Sequence, residues 1–341
     1  MNKTLTFFLV FFLSININVK SQNLKFLNQL QDSIIVYSKK LTINTPFEIK
    51  KAANEKLIKL ITKAARQENS IDFGFDSLNI ISVLTSDDKV LRIFTWVIPY
   101  DDGSYGYSGV IQAFSKSKKM YNTTVLKDKT SKIYNPMKKS LTAEKWYGAR
   151  YYELITKKYH KKKYYTVIGW KGIDLVLTSK VIDVIDIKSN GRLIFGYGIF
   201  NMDDADYFAR NARPKRLVFT YSAEAHMNLV YQQQTILKKV KDSRLKSSPI
   251  AVGFNAQKKE VRTKPKYKKI VGKMIVMDEL APLSQSMEGI YQFYLPKINV
   301  IDALYFEKGK WKYYEDIDAR NQGTSPERKE NIDYDLIEEE D

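Results

Sequence analysis

The spacing of apolar residues changes character near residue 70. Before it the period is helical. Leu24, Leu27, Ile34 and Ile35 recur at roughly helical spacing across 24–38. Thr45-Pro46-Phe47-Glu48 reads as a capping box, with Thr45 as N-cap, Pro46 at the first helical position and Glu48 at the third. Ile49, Ala53, Leu57, Leu60, Ile61 and Ala64 then share one face of a second helix. Lysines and Arg66 fill much of the rest. Such a stripe suits packing on a sheet better than lying on a membrane.

From Leu78 onward the pattern is that of strands. Val90–Ile98 and Tyr105–Phe114 flank Asp101-Asp102-Gly103-Ser104, a hairpin signal. Arg150–Lys157 and Tyr164–Gly169 flank a basic turn holding His160. Val181–Ile187 and Leu193–Phe200 flank Asn190-Gly191, which predicts a two-residue turn. Leu217–Ala223 and Met227–Tyr231 form another expected pair, and Ile270–Met277, Ile290–Leu295, Ala303–Phe306 and Trp311–Tyr314 follow. The pattern predicts an α+β, mostly antiparallel β fold. It is a barrel or sandwich of roughly a dozen strands preceded by two N-terminal helices. No internal repeat is visible.

Charge subdivides the chain further. The segment Lys238–Lys273 holds 13 basic and 2 acidic residues, and its Ser248-Pro249 and Lys264-Pro265 steps predict a basic loop at about 238–269. Residues 327–341 hold 8 acidic and 2 basic residues, so 322–341 is expected to be an acidic disordered tail. A helical segment at 22–70 and an antiparallel β domain at 71–321 lie between the two ends.

The N-terminus carries an export signal. Lys3 precedes a mostly apolar run, Leu5–Ile17, which is shorter than a membrane span of roughly 20 residues. Val19 and Ser21 place small residues at minus three and minus one of a cut before Gln22. Residues 1–21 are therefore expected to be a removed signal peptide, with an uncleaved anchor as the alternative. No transmembrane segment is expected once it is gone. Export changes the meaning of the formal charge, which is +18 and falls to +16 without Lys3 and Lys20. An exported cation meets anionic envelope polymers, lipid head groups or acidic glycans before nucleic acid. Only 11 of the 56 basic residues are arginine, the side chain that phosphate recognition favours. Codon bias towards lysine explains the charge equally well.

Composition excludes much chemistry. With no cysteine and two histidines, thiolate catalysis, disulfides and three-histidine metal sites are absent. There is no Gly-x-Ser-x-Gly elbow, phosphate loop or dinucleotide fingerprint. His160 lies among lysines. His226 lies two residues from Glu224, but alternation would put both on an outer face. Asp203-Asp204-Ala205-Asp206 reads as a solvated turn. Asp316-Ile317-Asp318-Ala319-Arg320-Asn321 departs from a calcium loop at Arg320 and Asn321. Neither is taken as a metal site, and no cofactor or catalytic residue is assigned. A carboxylate pair for glycoside hydrolysis is available among 38 acids but not identifiable.

Aromatic residues carry the remaining signal. Trp146-Tyr147, Tyr151-Tyr152, Tyr164-Tyr165, Trp170 and Tyr291-Gln292-Phe293-Tyr294 suit sugar stacking or protein contact, and equally a sheet core. Trp146-Tyr147-Gly148-Ala149, Tyr164-Tyr165 and Gly169-Trp170-Lys171-Gly172 belong to a longer set of motifs. Asp278-Glu279-Leu280-Ala281-Pro282, Gly289-Ile290-Tyr291-Gln292-Phe293-Tyr294 and Asp302-Ala303-Leu304-Tyr305-Phe306 continue it. Lys308-Gly309-Lys310-Trp311 and the segment 316–321 complete it. Together, over about 140–321, they resemble an uncharacterised family of exported Bacteroidota proteins. The resemblance implies a periplasmic or cell-surface location and brings no activity, cofactor or site residue. Without a lipoprotein cysteine, periplasm is favoured.

The resulting expectation is an envelope binding or structural protein without catalytic activity, with a glycan hydrolase as the alternative. Its ligand surface is expected at Trp146, Tyr147, Trp170, Tyr291, Tyr294 and Asp302. Polyanion contacts are expected at Lys258, Lys259, Arg262, Lys264, Lys266, Lys268 and Lys269. The partner is an anionic envelope polymer, a glycan or an envelope protein, with no specific nucleic acid.

Overall fold

A computed structural model of the chain describes residues 23–202, 213–239, 267–315 and 317. The expected signal peptide, the tail at 322–341 and Asp203-Asp204-Ala205-Asp206 lie outside these residues. Two helices, α1 (23–38) and α2 (Phe47–Ala65), come first. Among the described residues fifteen strands follow in three sheets, more than the dozen expected.

The first sheet is an antiparallel meander of β1 (Ser82–Thr85), β2 (Leu91–Pro99), β3 (Tyr105–Ser115) and β4 (Met120–Lys127). The second has the order β5-β9-β8-β7-β6. Its members are β5 (Leu141–Thr142), β6 (Arg150–Tyr159), β7 (Lys162–Gly172), β8 (Leu177–Ile187) and β9 (Leu193–Phe195), and β11 (Leu217–Ser222) also pairs with β8. The third has the order β10-β15-β14-β13-β12. Its members are β10 (Phe200–Asn201), β12 (Leu229–Lys239), β13 (Tyr267–Pro282), β14 (Tyr294–Glu307) and β15 (Lys310–Tyr314). Among the described residues, the short β10–β15 strand pairing is parallel, as is an isolated bridge between Asp128 and Trp146, and the other strand pairings are antiparallel. No sheet of the described residues closes into a barrel.

Alternation along the strands explains how the layers share their cores. Phe94, Trp96 and Ile98 of β2 pack with Leu27, Ile34, Leu57 and Ile61 of the helices. Leu91 and Ile93 point the other way and pack with Tyr165, Val167, Val181 and Ile185 of the second sheet. Ile168, Ile182 and Val184 face Ile275, Met277, Leu304 and Trp311 of the third. The second sheet is thus buried on both faces, so the burial of β8 runs unbroken from Thr178 to Ile185 instead of alternating. Ile236, Met274, Val276, Ala303 and Ile317 form a smaller cluster on the far side of the third sheet.

Three tryptophans fasten this stack. Trp96, Trp146 and Trp311 are fully buried. Their ring N–H groups donate to Asn54 Oδ1 of α2 at 2.8 Å, Tyr151 OH at 2.8 Å and Thr166 Oγ1 of β7 at 2.9 Å. A buried indole N–H needs such an acceptor.

Several local expectations are corrected. Pro46, not Thr45, is the N-cap of α2, and no side chain caps it. Thr45 Oγ1 instead pairs with Thr42 Oγ1 at 2.8 Å, and Ile49 is left exposed. The Asn190-Gly191 turn is one residue longer than predicted. Lys188 N donates to Arg192 O, which encloses three residues, with Gly191 at φ 83°. Leu217–Ala223 does not pair with Met227–Tyr231. β11 lies along β8, and β12 pairs with β13. Ile290–Leu295 is split between a short 3-10 turn and the start of β14. The ends of the expected basic loop are strand, because Lys239 pairs opposite Tyr267 and Lys238 opposite Lys268.

Candidate functional site

Gly169-Trp170-Lys171-Gly172 ends β7 where a cleft of about 440 Å³ opens. Trp170 forms one wall. Its ring meets Tyr105 of β3 edge-on, with centroids 5.3 Å apart. A Cβ on Gly172 would fall 2.5 Å from the Trp170 ring and 2.6 Å from Tyr105, so glycine permits this pairing. The loop after β7 is held by Asp174, whose Oδ1 accepts the N–H groups of Val176 and Leu177, both at 2.9 Å. Ala223 N donates to Val176 O at 3.0 Å and so ties the end of β11 to the same loop.

The opposite wall comes from β8 and β11. Thr178, Lys180 and Tyr221 are buried there, while Glu224 and His226 stand exposed on the turn after β11. The Lys180 ammonium lies 4.7 Å from the centroid of the Tyr152 ring, a cation–π arrangement that offsets part of its desolvation. The cleft is therefore lined by the rings of Tyr105, Trp170 and Tyr221, the Lys180 cation, the Thr178 hydroxyl, the His226 imidazole and the carboxylates of Asp174 and Glu224. Apolar walls with a few fixed polar groups are the usual make-up of small-ligand sites. Among the described residues no cluster of acidic or histidine side chains could hold a metal ion.

The six expected ligand residues do not converge. Trp170 alone lines the cleft. Trp146 and Tyr147 are interior, between the first and second sheets. The residue Trp146 belongs to no strand, so strand alternation says nothing about its face. Burial pushes the Tyr147 hydroxyl up to about 12. Tyr294 is buried in the core between the second and third sheets. Asp302 is buried on β14, where it accepts a hydrogen bond from Tyr313 at 2.7 Å. Tyr291 is exposed beside Tyr294, on a turn that packs against β11.

Of the expected polyanion contacts, Lys258, Lys259, Arg262, Lys264 and Lys266 lie outside the described residues. Lys268 and Lys269 are strand residues of β13, not loop. His160 occupies an exposed turn at φ 50°. The structure brings Glu224 and His226 to the same cleft as Trp170, together with Tyr105, Thr178, Lys180 and Tyr221, which pattern reading missed. Lys180 did leave a signal, as a charge inside the apolar run of β8.

No family model matches the chain, and neither a curated protein nor a solved structure matches it.

Proposed function

We propose that this is an exported, periplasmic envelope protein that binds a glycan without catalysis, through the cleft that holds Trp170. One observation carries the reading. Of the four tryptophans, Trp170 is the one not sealed in a core; it is half-buried in the wall of a cleft. An aromatic face beside hydroxyl, ammonium and carboxylate groups suits a sugar ring. The apolar run at 5–17 supports export. The motifs shared over 140–321 support membership of the exported Bacteroidota family. No helix among the described residues is long and apolar enough to cross a membrane. The sheets sharing cores face to face support a sandwich as the finer description of the fold.

Co-sedimentation of the chain with peptidoglycan and with outer membrane, at low and high salt, tests this. Retention at high salt that is lost in Trp170→Ala is the expected result. Binding confined to low salt means that the net positive charge acts as a generic polycation, and the reading fails. The second reading, a glycan hydrolase, draws on Asp174 and Glu224 lining one cleft. Release of reducing ends from peptidoglycan, abolished by Glu224→Gln, would replace binding with hydrolysis.

A further inference from the structure

Two hairpin tips meet at the end of β7 away from the Trp170 cleft. His160-Lys161 joins β6 to β7, and Lys308-Gly309 joins β14 to β15, each as a two-residue turn. His160, Lys308 and Gly309 take positive φ values of 50°, 50° and 79°, as such tight turns require. Tyr159 locks the tips together. Its ring sits on Gly309, where a Cβ would fall 2.7 Å from Tyr159 Cδ1, so glycine permits the contact. The same ring meets His160 edge-on, with centroids 4.1 Å apart. The two turns are far apart in sequence, so local pattern could not join them.

Together the tips concentrate charge. In 157–163 five residues are lysine, one is histidine and none is acidic, and 307–312 adds three lysines against Glu307. Four of these lysines have contacts within the fold. Lys162 pairs with Asp186 at 3.6 Å and Lys163 with Asp88 at 2.6 Å. Lys157 and Lys312 lie over the rings of Tyr231 and Tyr314, at 5.2 and 5.4 Å. Lys158, Lys161, Lys308 and Lys310 are exposed, and among the described residues no carboxylate pairs with them. The β12–β13 ribbon runs on in the same direction, and its last rungs hold Lys238, Lys239, Lys268 and Lys269. Like charges held together on short turns repel one another, and an anion outside the fold relieves that repulsion.

Shape and residue type select the partner. Hairpin tips project, so their ammonium groups spread over a surface instead of converging on a pocket. Lysine is a compact point charge without the planar fork of arginine, which suits a fluid array of phosphates better than one fixed phosphate. Tyr159 is 36% exposed among these cations, and an amphipathic ring of this kind settles at head-group level. We propose that the paired tips dock on an anionic lipid surface, with Lys158, Lys161, Lys308 and Lys310 against the head groups. Lys162 and Trp170 lie eight residues apart on β7, roughly 26 Å along the strand. Docking therefore holds the cleft away from the bilayer, and it stands whether or not that cleft takes a glycan.

Co-sedimentation with phosphatidylcholine vesicles, with and without about 30 mol % phosphatidylglycerol at about 0.1 M NaCl, tests the proposal. The chain from Gln22, which keeps every described residue, is the form to use. Binding to the anionic vesicles alone is expected. The variant Lys158→Gln, Lys161→Gln, Lys308→Gln, Lys310→Gln should weaken it at least about 50-fold, since each lysine at an anionic surface contributes about 5-fold. The variant Lys39→Gln, Lys56→Gln, Lys129→Gln, Lys145→Gln removes the same charge from exposed positions elsewhere and should weaken it less than about 5-fold. All eight lysines are exposed, so both variants are expected to fold. Equal weakening by the two variants means that net charge acts without a docking face, and overturns the proposal. So does the absence of binding, or equal binding to neutral vesicles. Retention by dextran sulfate without binding to vesicles assigns the tips to a soluble anionic polymer and overturns it as well.

Discussion

Trp311 Nε1 donates to Thr166 Oγ1 at 2.9 Å in a fully buried contact between β15 and β7. It is a polar bond across the core that joins the second and third sheets. Thr166→Val keeps the shape and removes the acceptor, leaving the indole N–H without a partner. A loss of about 1–3 kcal/mol is expected in urea unfolding. Trp311→Phe in the Thr166→Val background should cost less than it does alone, because the bond is already lost there and the change removes the stranded donor.

Arg216 and Asp183 make the chain's most enclosed ion pair among the described residues. The Arg216 Nε lies 2.7 Å from Asp183 Oδ2, and the two side chains are 0% and 1% exposed. The guanidinium also donates to the carbonyls of Pro136 and Lys139, and Asp183 Oδ1 accepts from Val184 N. Arg216→Met strands a buried carboxylate and should cost about 3–5 kcal/mol in denaturant unfolding. The double variant Arg216→Met, Asp183→Leu should recover part of that, because no lone charge remains.

Much of this fold is legible in the chain because its signals are local. The helical period over 49–64 and the Asp101–Ser104 turn each act within a few residues, and both elements form. The pairing of β11 with β8 joins residues 35 to 45 apart in sequence and leaves no local mark, so the pattern offers Leu217–Ala223 only its nearest neighbour as a partner. Site prediction failed for the same reason. Trp146 and Trp170 carry equal weight as residue types, but one lies in an irregular segment folded between two sheets. The other stands near the end of an inner strand, in the wall of a cleft. What did show was the charge within apolar runs. Lys171, Lys180 and Asp183 each break such a run, and each is buried with specific partners or ring contacts.

Gly172 sets the geometry of the Trp170 cleft. Its missing side chain is replaced by the rings of Trp170 and Tyr105, which would lie about a van der Waals overlap too close to any Cβ. Gly172→Ala must push the ring pair apart. Two effects are expected together: a stability loss of about 1–3 kcal/mol from overpacking, and a shifted Trp170 emission spectrum. The comparison Trp170→Phe, Gly172→Ala should lose the spectral change, which assigns the signal to that ring, and keep only the part of the stability loss that comes from crowding against Tyr105.

Lys171 makes stability depend on pH in the alkaline range. The side chain is 4% exposed. Its ammonium donates to Gly148 O at 2.7 Å and Thr130 Oγ1 at 3.0 Å, and faces the rings of Tyr107 and Tyr147 at 4.4 and 4.7 Å. Burial lowers its pKa from 10.5 to about 8, against the opposing pull of Asp128. Between those values the unfolded chain keeps a proton that the folded chain has released. Stability therefore rises with pH across this window, is fully gained above the unfolded value, and is lost as pH falls through the folded one. By about pH 9.5 the gain should approach ~2 kcal/mol. Above about pH 10 the buried tyrosines oppose it, since burial holds the protons of Tyr147 and Tyr151 more tightly than in the unfolded chain. Urea unfolding of the parent and of Lys171→Met, from about pH 7.5 to 9.5, isolates the effect. The parent should gain stability over that range while the variant stays flat, and parallel curves would mean that Lys171 keeps its proton in the fold.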